Sequence, residues 1–274
     1  MIYTLDRVSK HYHTREGPVV SLDGLSLNVQ AGEQVALIGR SGAGKTTLFR
    51  LLNATLRPTS GLLHFAGRDL TTLNGRELRQ VRRRIGTVYQ QHHLVPSLSV
   101  LDNALCGRLG QWSLWHTLRS TLRPTRQETE AALDALSLVG LADKRRARAD
   151  ELSGGQQQRL AIARMLLQDP DVILADEPVA SLDPALAEAI TALLMRLAND
   201  GRQRTLVVAL HDVKLALAYF PRIVGLRGGR VAFDERAPDV YADKLGALYA
   251  GDDASAQELD QNDADTWREL RCFR

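Results

Sequence analysis

A chain of 274 residues, 44% hydrophobic and 24% charged, has enough apolar content for one large or two modest globular domains, which excludes a fibrous or disordered protein. Net charge is only +3, and a pI near 9 from arginine usage is a weak sign of acidic partners; the run Arg82-Arg83-Arg84 reads as a solvated helix face more than a nucleic-acid stripe, with no aromatic platform or zinc-finger spacing beside it. Cys106 and Cys272 form no metal or redox spacing, no secretory pattern marks MIYTLDRVSK, and no apolar run approaches the roughly 20 residues a bilayer requires; a cytosolic chain with reduced thiols is expected.

In chain order, Ile2, Leu5 and Val8, then Leu25, Leu27 and Val29, alternate with polar residues as short strands do. EQVALIG reads as a buried strand that opens through glycines into the helix KTTLFRLLNA, and IGTVY at Ile85–Tyr89 is a further strand. Residues 92–165 change character. They hold the turn-rich HHLVPSLSV, a stretch with Trp112 and Trp115, and the amphipathic RQETEAALDALSLVGL, a mainly helical insert. Strand DVILAD, a helix from Pro184, strand TLVVAL and the hairpin IVGLRGGRVAFD with its turn at Gly228-Gly229 follow. Strands alternating with helices predict an α/β fold on a mainly parallel sheet. Residues 251–274 are acidic and then amphipathic, an expected flexible tail with room for a short terminal helix. No internal repeat is visible.

GRSGAGKTT fits G-x-x-x-x-G-K-[ST] with Gly39, Gly44, Lys45 and Thr46 in register. Glycines let backbone N–H groups curl around an anion, and the helix that follows adds its positive end. Lys45 is placed for the β- and γ-phosphates, and the Thr46 hydroxyl for Mg²⁺. The candidate nucleotide cradle is Gly39, Arg40, Ser41, Gly42, Ala43, Gly44, Lys45, Thr46 and Thr47. VILADEP then puts Asp176 and Glu177 at the C-terminal end of a buried strand, where ligands gather in open α/β sheets. Asp176 is the candidate metal ligand, and Glu177 the candidate for activating the attacking water.

LSGGQQQR, Leu152 to Arg159, poses a separate question. Ser153 suits an N-cap, Gly154 and Gly155 bare the backbone donors, and Leu160, Ala161, Ala163, Arg164 and Leu167 follow at helical spacing. A helix head of this kind binds phosphate oxygens, yet one nucleotide already has its cradle. The second cradle, Ser153 to Gln156, is therefore expected to meet the nucleotide of another copy.

With GRSGAGKTT, LSGGQQQR, VILADEP, SLDP and a histidine after the next strand in that order, the chain resembles the ATP-binding subunit of an ABC transporter over about residues 1–250. The resemblance implies an α/β fold of the P-loop NTPase (RecA-like) type. An N-terminal antiparallel β subdomain and an inserted helical subdomain at about 92–165 would complete an ATPase domain at 1–250, followed by the tail at 251–274. It makes Tyr12 the aromatic that stacks on adenine and Gln90, rather than Gln91, the glutamine touching Mg²⁺ and the water. Asp183 becomes the residue of the loop joining two active sites, and His211 the histidine facing the γ-phosphate. The implied cofactors are ATP and Mg²⁺. The implied partners are a second copy of the chain in a dimer that sandwiches nucleotide, an integral membrane permease whose coupling helix docks on the helical insert, and indirectly a periplasmic or extracellular binding protein, with no nucleic acid. The place of action would be the cytoplasmic face of the inner membrane.

A separate subunit without spans is similar to importers, and NALCGRLGQWSLWHTLRSTLRP and LADEPVASLDP are similar to phosphonate importers. ALHDVKLA departs from that subfamily at Asp212 and Lys214, and Trp112 and Trp115 read equally well as core anchors of the insert. Phosphite, phosphate or phosphate esters stay open as cargo. So do two other classes: a cytosolic ABC ATPase acting on DNA or ribosomes, without the tandem cassettes or coiled coils usual there, and a different P-loop enzyme such as a kinase, which would lack LSGGQQQR and SLDP.

Overall fold

Tyr3–Thr14 (β1) and Gly17–Val29 (β2) pair as one long antiparallel ladder, and Ser60–Phe65 (β4) and Arg68–Asp69 (β5) extend it in the order β2-β1-β4-β5. The computed structural model describes residues 1–250 apart from 16, 113–114, 116–118, 120–122 and 181. The acidic tail at 251–274 and Ser181 of the SLDP stretch lie outside the described residues.

The second sheet runs β10-β9-β3-β8-β7-β6 and carries the chemistry. Its members are Gln34–Ile38 (β3), Ile85–Tyr89 (β6), Val172–Asp176 (β7), Thr205–Ala209 (β8), Arg222–Arg227 (β9) and Arg230–Arg236 (β10). Neighbours from β6 to β9 are parallel, and β9 and β10 form the expected hairpin about Gly228-Gly229. The parallel strands are buried on both faces. Val35, Leu37, Val172, Leu174, Val207 and Ala209 pack toward the antiparallel sheet, while Ala36, Ile38, Ile173, Ala175, Leu206 and Val208 pack toward helices on the other side. This two-sided burial is why these strands read as unbroken apolar runs.

Lys45–Leu52 (α1) lies between the two sheets and buries Leu48, Phe49, Leu51 and Leu52, each worth about 1.5–3 kcal/mol against exposure. Gly75–Arg83 (α2) starts with a capping box in which Asn74 accepts from the backbone and Glu77 returns the bond. Val100–Leu105 (α3), Arg126–Leu138 (α4) and Gly154–Leu167 (α5) form the helical stretch and share one apolar cluster with the sheet, joined by Pro184–Ala198 (α6), Val213–Tyr219 (α7) and Ala242–Tyr249 (α8).

The α/β fold and mainly parallel sheet expected from the sequence are present. One expectation needs correction. Trp115 is 81% exposed and anchors no core, whereas Trp112 is half-buried. Arg82 and Arg84 of the arginine run are exposed, as a solvated face requires, and each arginine of the run also makes a contact. Arg82 donates to the Ala54 carbonyl at 2.7 Å, Arg83 to the Gly110 carbonyl, and Arg84 pairs with Asp171 at 2.6 Å while covering the Phe65 ring. These contacts tie α2 and its C-cap to their surroundings.

Candidate functional site

Strand register gathers the site. Tyr89, Asp176 and Ala209 lie abreast across β6, β7 and β8, and the amide of Leu210 reaches the Leu37 carbonyl at 3.0 Å. The residues that follow each strand, Gln90, Glu177 and Gly39 directly and His211 one place further after Leu210, therefore leave the sheet at one C-terminal edge. Sequence separation is erased by the parallel ladder.

Residues 39–47 curl around a cavity of about 270 Å³ lined by Ser21, Ser41, Gly42, Gly44, Lys45, Thr46, Thr47 and Glu177. Two glycines are required here by space. A Cβ at Gly39 would lie 2.3 Å from the Leu226 carbonyl oxygen, and one at Gly44, where φ is +100°, would lie 2.6 Å from the Ser21 carbonyl. Arg40 and Ala43 turn to the other side of the loop. They line a second cavity of about 340 Å³ with Leu226, Arg227 and Leu248, and Arg40 donates to the Tyr249 carbonyl.

The Lys45 ammonium is only 4% exposed and donates to the carbonyls of Gly39 at 2.7 Å and Arg40 at 3.1 Å, which aims it along the inside of the loop. It stands 3.8 Å from Glu177 Oε1, and the same oxygen is 2.6 Å from His211 Nε2. Burial pulls the Lys45 pKa down, against the upward pull of Glu177 and Asp176, and the net result is a lowered value. Asp176 moves the other way. Burial and then the charge of Glu177 raise it, outweighing the Thr46 hydrogen bond and the charges of Lys45 and Arg50. The Asp176 carboxylate at this buried strand end is thus under-compensated by the positive charge around it.

That deficit bears on a metal. Asp176 Oδ1 is a buried acceptor with no hydrogen-bond partner, and the neighbouring Thr46 hydroxyl favours the charged form of the same carboxylate. A hydroxyl and a carboxylate with an orphaned oxygen are the hard oxygen donors that suit Mg²⁺, so these two residues fit it, while Gln90 follows β6 at the same sheet edge with its side chain exposed. Glu177 adopts φ +52°, a left-handed backbone that a glutamate holds at a cost of order 1 kcal/mol. This turn separates its direction from that of Asp176.

Tyr12, on β1, stands beside the loop with its hydroxyl 3.4 Å from Thr47 Oγ1, which also accepts from Ser21 Oγ at 2.8 Å. Thr47 is thus engaged within the protein. Ser21 was not legible as a site residue, because it lies in the unremarkable strand run GPVVSLDG and reaches the cavity only through the antiparallel pairing.

The second glycine pair lies apart. Ser153 is the N-cap of α5, its own amide donating to Gln156 Oε1 at 3.1 Å, and none of Ser153, Gly154, Gly155 or Gln156 lines the phosphate cavity. The two glycines differ. Gly154 faces open space, whereas a Cβ at Gly155 would meet the Leu186 side chain at 2.3 Å, so Gly155 serves close packing of α5 on α6 more than exposure of a donor. Asp183 is exposed at the N-cap of α6, accepting from the Leu186 amide at 3.0 Å, and does not reach the cavity either.

A family model described as ABC transporter matches residues 22–180. The chain belongs to the ABC transporter family. It is 43% identical over 265 residues to a phosphonates import ATP-binding protein of Synechococcus sp. (strain JA-2-3B'a(2-13)), covering 95% of this chain and 96% of the relative. A protein of the same description from Pseudomonas fluorescens (strain Pf0-1) is 46% identical, with 85% and 87% covered. Among solved structures, a dimeric ATP-binding cassette in a post-hydrolysis state bound to ADP and Pi superposes with a TM-score of 0.74 at 32% identity, covering 86% of this chain and 98% of that one. The ADP conformation of another cassette of an ABC transporter gives 0.77 at 27% identity, covering 92% and 99%. Among the described residues of this cassette no helix is long and apolar enough to cross a membrane.

Proposed function

We propose that this cassette is the ATP-hydrolysing subunit of an importer that takes up phosphonate through a membrane permease. The observation that carries the hydrolytic reading is the meeting of Lys45, Glu177 and His211 at a cavity ringed by the glycine loop. Backbone donors of residues 39–47 and the Lys45 ammonium bind the β- and γ-phosphates, and Tyr12 stacks on the base. Glu177 accepts the proton of the attacking water, and His211 holds that carboxylate and then faces the γ-phosphate. Mg²⁺, held by Thr46, Asp176 and Gln90, would neutralise charge developing on the phosphate oxygens.

Because the head of α5 does not line the cavity of its own chain, Ser153 to Gln156 and Asp183 are assigned to the nucleotide of a second copy. The dimeric cassette among the similar structures supports this arrangement. ATP that binds the closed pair more tightly than the open chains then drives closure, and hydrolysis releases it. The groove of about 260 Å³ between α2 and α5, rimmed by Arg79, Arg83 and Arg164, is the seat assigned to the permease's coupling helix at the cytoplasmic face.

Phosphonate as cargo rests on the names of the relatives, since the cassette itself does not touch the solute. The test is reconstitution with candidate permease and binding protein in liposomes. Phosphonate-loaded binding protein is expected to stimulate ATP hydrolysis. Stimulation by phosphate or phosphite alone would reassign the cargo, and stimulation by nucleic acid without permease would contradict the importer reading.

A further inference from the structure

A line of contacts leads from the helix of the phosphate loop to the head of α5 through Asn53, Tyr89, His93 and His92, which have no role assigned above, and through Arg164, which also rims the groove between α2 and α5. Asn53, buried at the C-cap of α1, donates from Nδ2 to the Tyr89 hydroxyl at 3.2 Å. The Tyr89 ring meets that of His93 edge-on, with centroids 4.9 Å apart. The carbonyls of His92 and His93 both accept from one guanidinium, that of Arg164 on α5, at 2.7 and 2.6 Å. The His92 ring Nε2 lies 3.1 Å from the Gly154 carbonyl. A carbonyl can only accept, so Nε2 carries the hydrogen.

The local backbone shows that this connection is tight. His93 sits at φ +48°, a left-handed conformation uncommon in residues other than glycine. A planar guanidinium that bridges successive carbonyls fixes two peptide planes at once, which a point charge cannot do. Gln90 lies two residues before this clamp, and Gly154 opens the helix whose head is assigned to the partner's nucleotide.

We infer that His92 and Arg164 are positioning residues that fasten the segment following Gln90 to the first turn of α5, so that nucleotide bound at residues 39–47 of one chain sets the placement of that chain's own Ser153–Gln156 cradle. The inference rests on the dimer reading above. Neither residue touches nucleotide. Their effect is on the coupling between nucleotide binding and pairing.

The test uses the full chain carrying Glu177→Gln, with two readouts: affinity for a fluorescent ATP analogue in dilute protein, and the ATP concentration giving half-maximal dimer. His92→Ala is expected to leave the first within about twofold and raise the second about tenfold, a coupling of ordinary allosteric size. His92→Gln, whose amide can donate to the same carbonyl, is expected to restore the parental value, and Arg164→Lys to behave as His92→Ala. A dimer midpoint unchanged in His92→Ala, loss of nucleotide affinity by the same factor, or failure of glutamine to rescue would each overturn the inference while leaving the function standing. Should His92→Ala not fold, Arg164→Lys against His92→Gln decides: equal midpoints overturn it. A parent that never dimerises with ATP would overturn both readings.

Discussion

Oε1 of Glu177 is shared between Nε2 of His211 at 2.6 Å and the Lys45 ammonium at 3.8 Å. One carboxylate oxygen thus joins the ends of β7 and β8 to the phosphate loop. In the role of base proposed for it, Glu177 would act through its charge more than its volume.

Glu177→Gln keeps the volume and removes the charge. The rate of phosphate release is expected to fall by about 10²–10⁴-fold, the usual worth of a positioned base. ATP affinity should stay within a few-fold, and the dimer should accumulate with ATP bound. Phosphate release at the parental rate would remove Glu177 from the role.

His211→Ala tests the other side of the pair. It is expected to lower kcat about 10²-fold with little change in KM for ATP, since the ring holds the Glu177 carboxylate and its proposed contact is with the γ-phosphate and not the bulk of the nucleotide. Steady-state kinetics over a range of ATP concentrations separate the two constants. A rise in KM with kcat intact would instead make His211 a binding residue.

The glycine pair gives a prediction on stability. Gly155→Ala pushes a methyl against Leu186 at 2.3 Å, and repacking that side chain is expected to cost about 1 kcal/mol. Gly154→Ala meets nothing within 4 Å and should change stability by less than about 0.5 kcal/mol. Denaturant melts of the two variants check the ordering; equal losses would contradict the packing account.

How far the sequence reaches is visible in these same residues. Gly39, Lys45, Asp176 and Glu177 were legible because phosphate binding demands a local pattern, and a parallel strand buried on both faces announces its own end. Ser21 and the Asn53–Tyr89–His93 line were not, because each depends on pairing between segments that carry no motif. The strands β4 and β5 and helix α2 fill residues 60–83 with little periodic signal. β4 exposes its first three residues and buries Leu63 and Phe65, while α2 is mostly arginine and glutamate or glutamine with two buried side chains. LSGGQQQR marked a helix head correctly but gave both glycines one role, since sequence does not show that Leu186 lies across one of them. Asp183 looked like part of a site and within one chain is a helix cap.

A pH prediction follows from the far end of the sheet. Burial pushes the Asp169 carboxyl up, but hydrogen bonds from Arg202 and Arg204 outweigh it and hold the pKa below the ordinary value. A depressed carboxylate stabilises the fold above its unfolded pKa, near 4, and that contribution is lost as pH falls through the lower folded value. Because Asp169 is half exposed, the contribution is expected to be under about 1 kcal/mol. Asp169→Asn should therefore lower stability at pH 7 and narrow the gap to the parent between pH 4 and pH 2; a gap that widens in acid would contradict the sign.

The shared site is tested most directly by the ATP hydrolysis rate per chain, measured across dilution together with the association state. Two half-sites predict a rate per chain that falls as dimers disappear and rises to a plateau as they form. A rate per chain that stays constant into the range where scattering detects monomers alone would mean that one chain holds a complete site, and the account would be wrong.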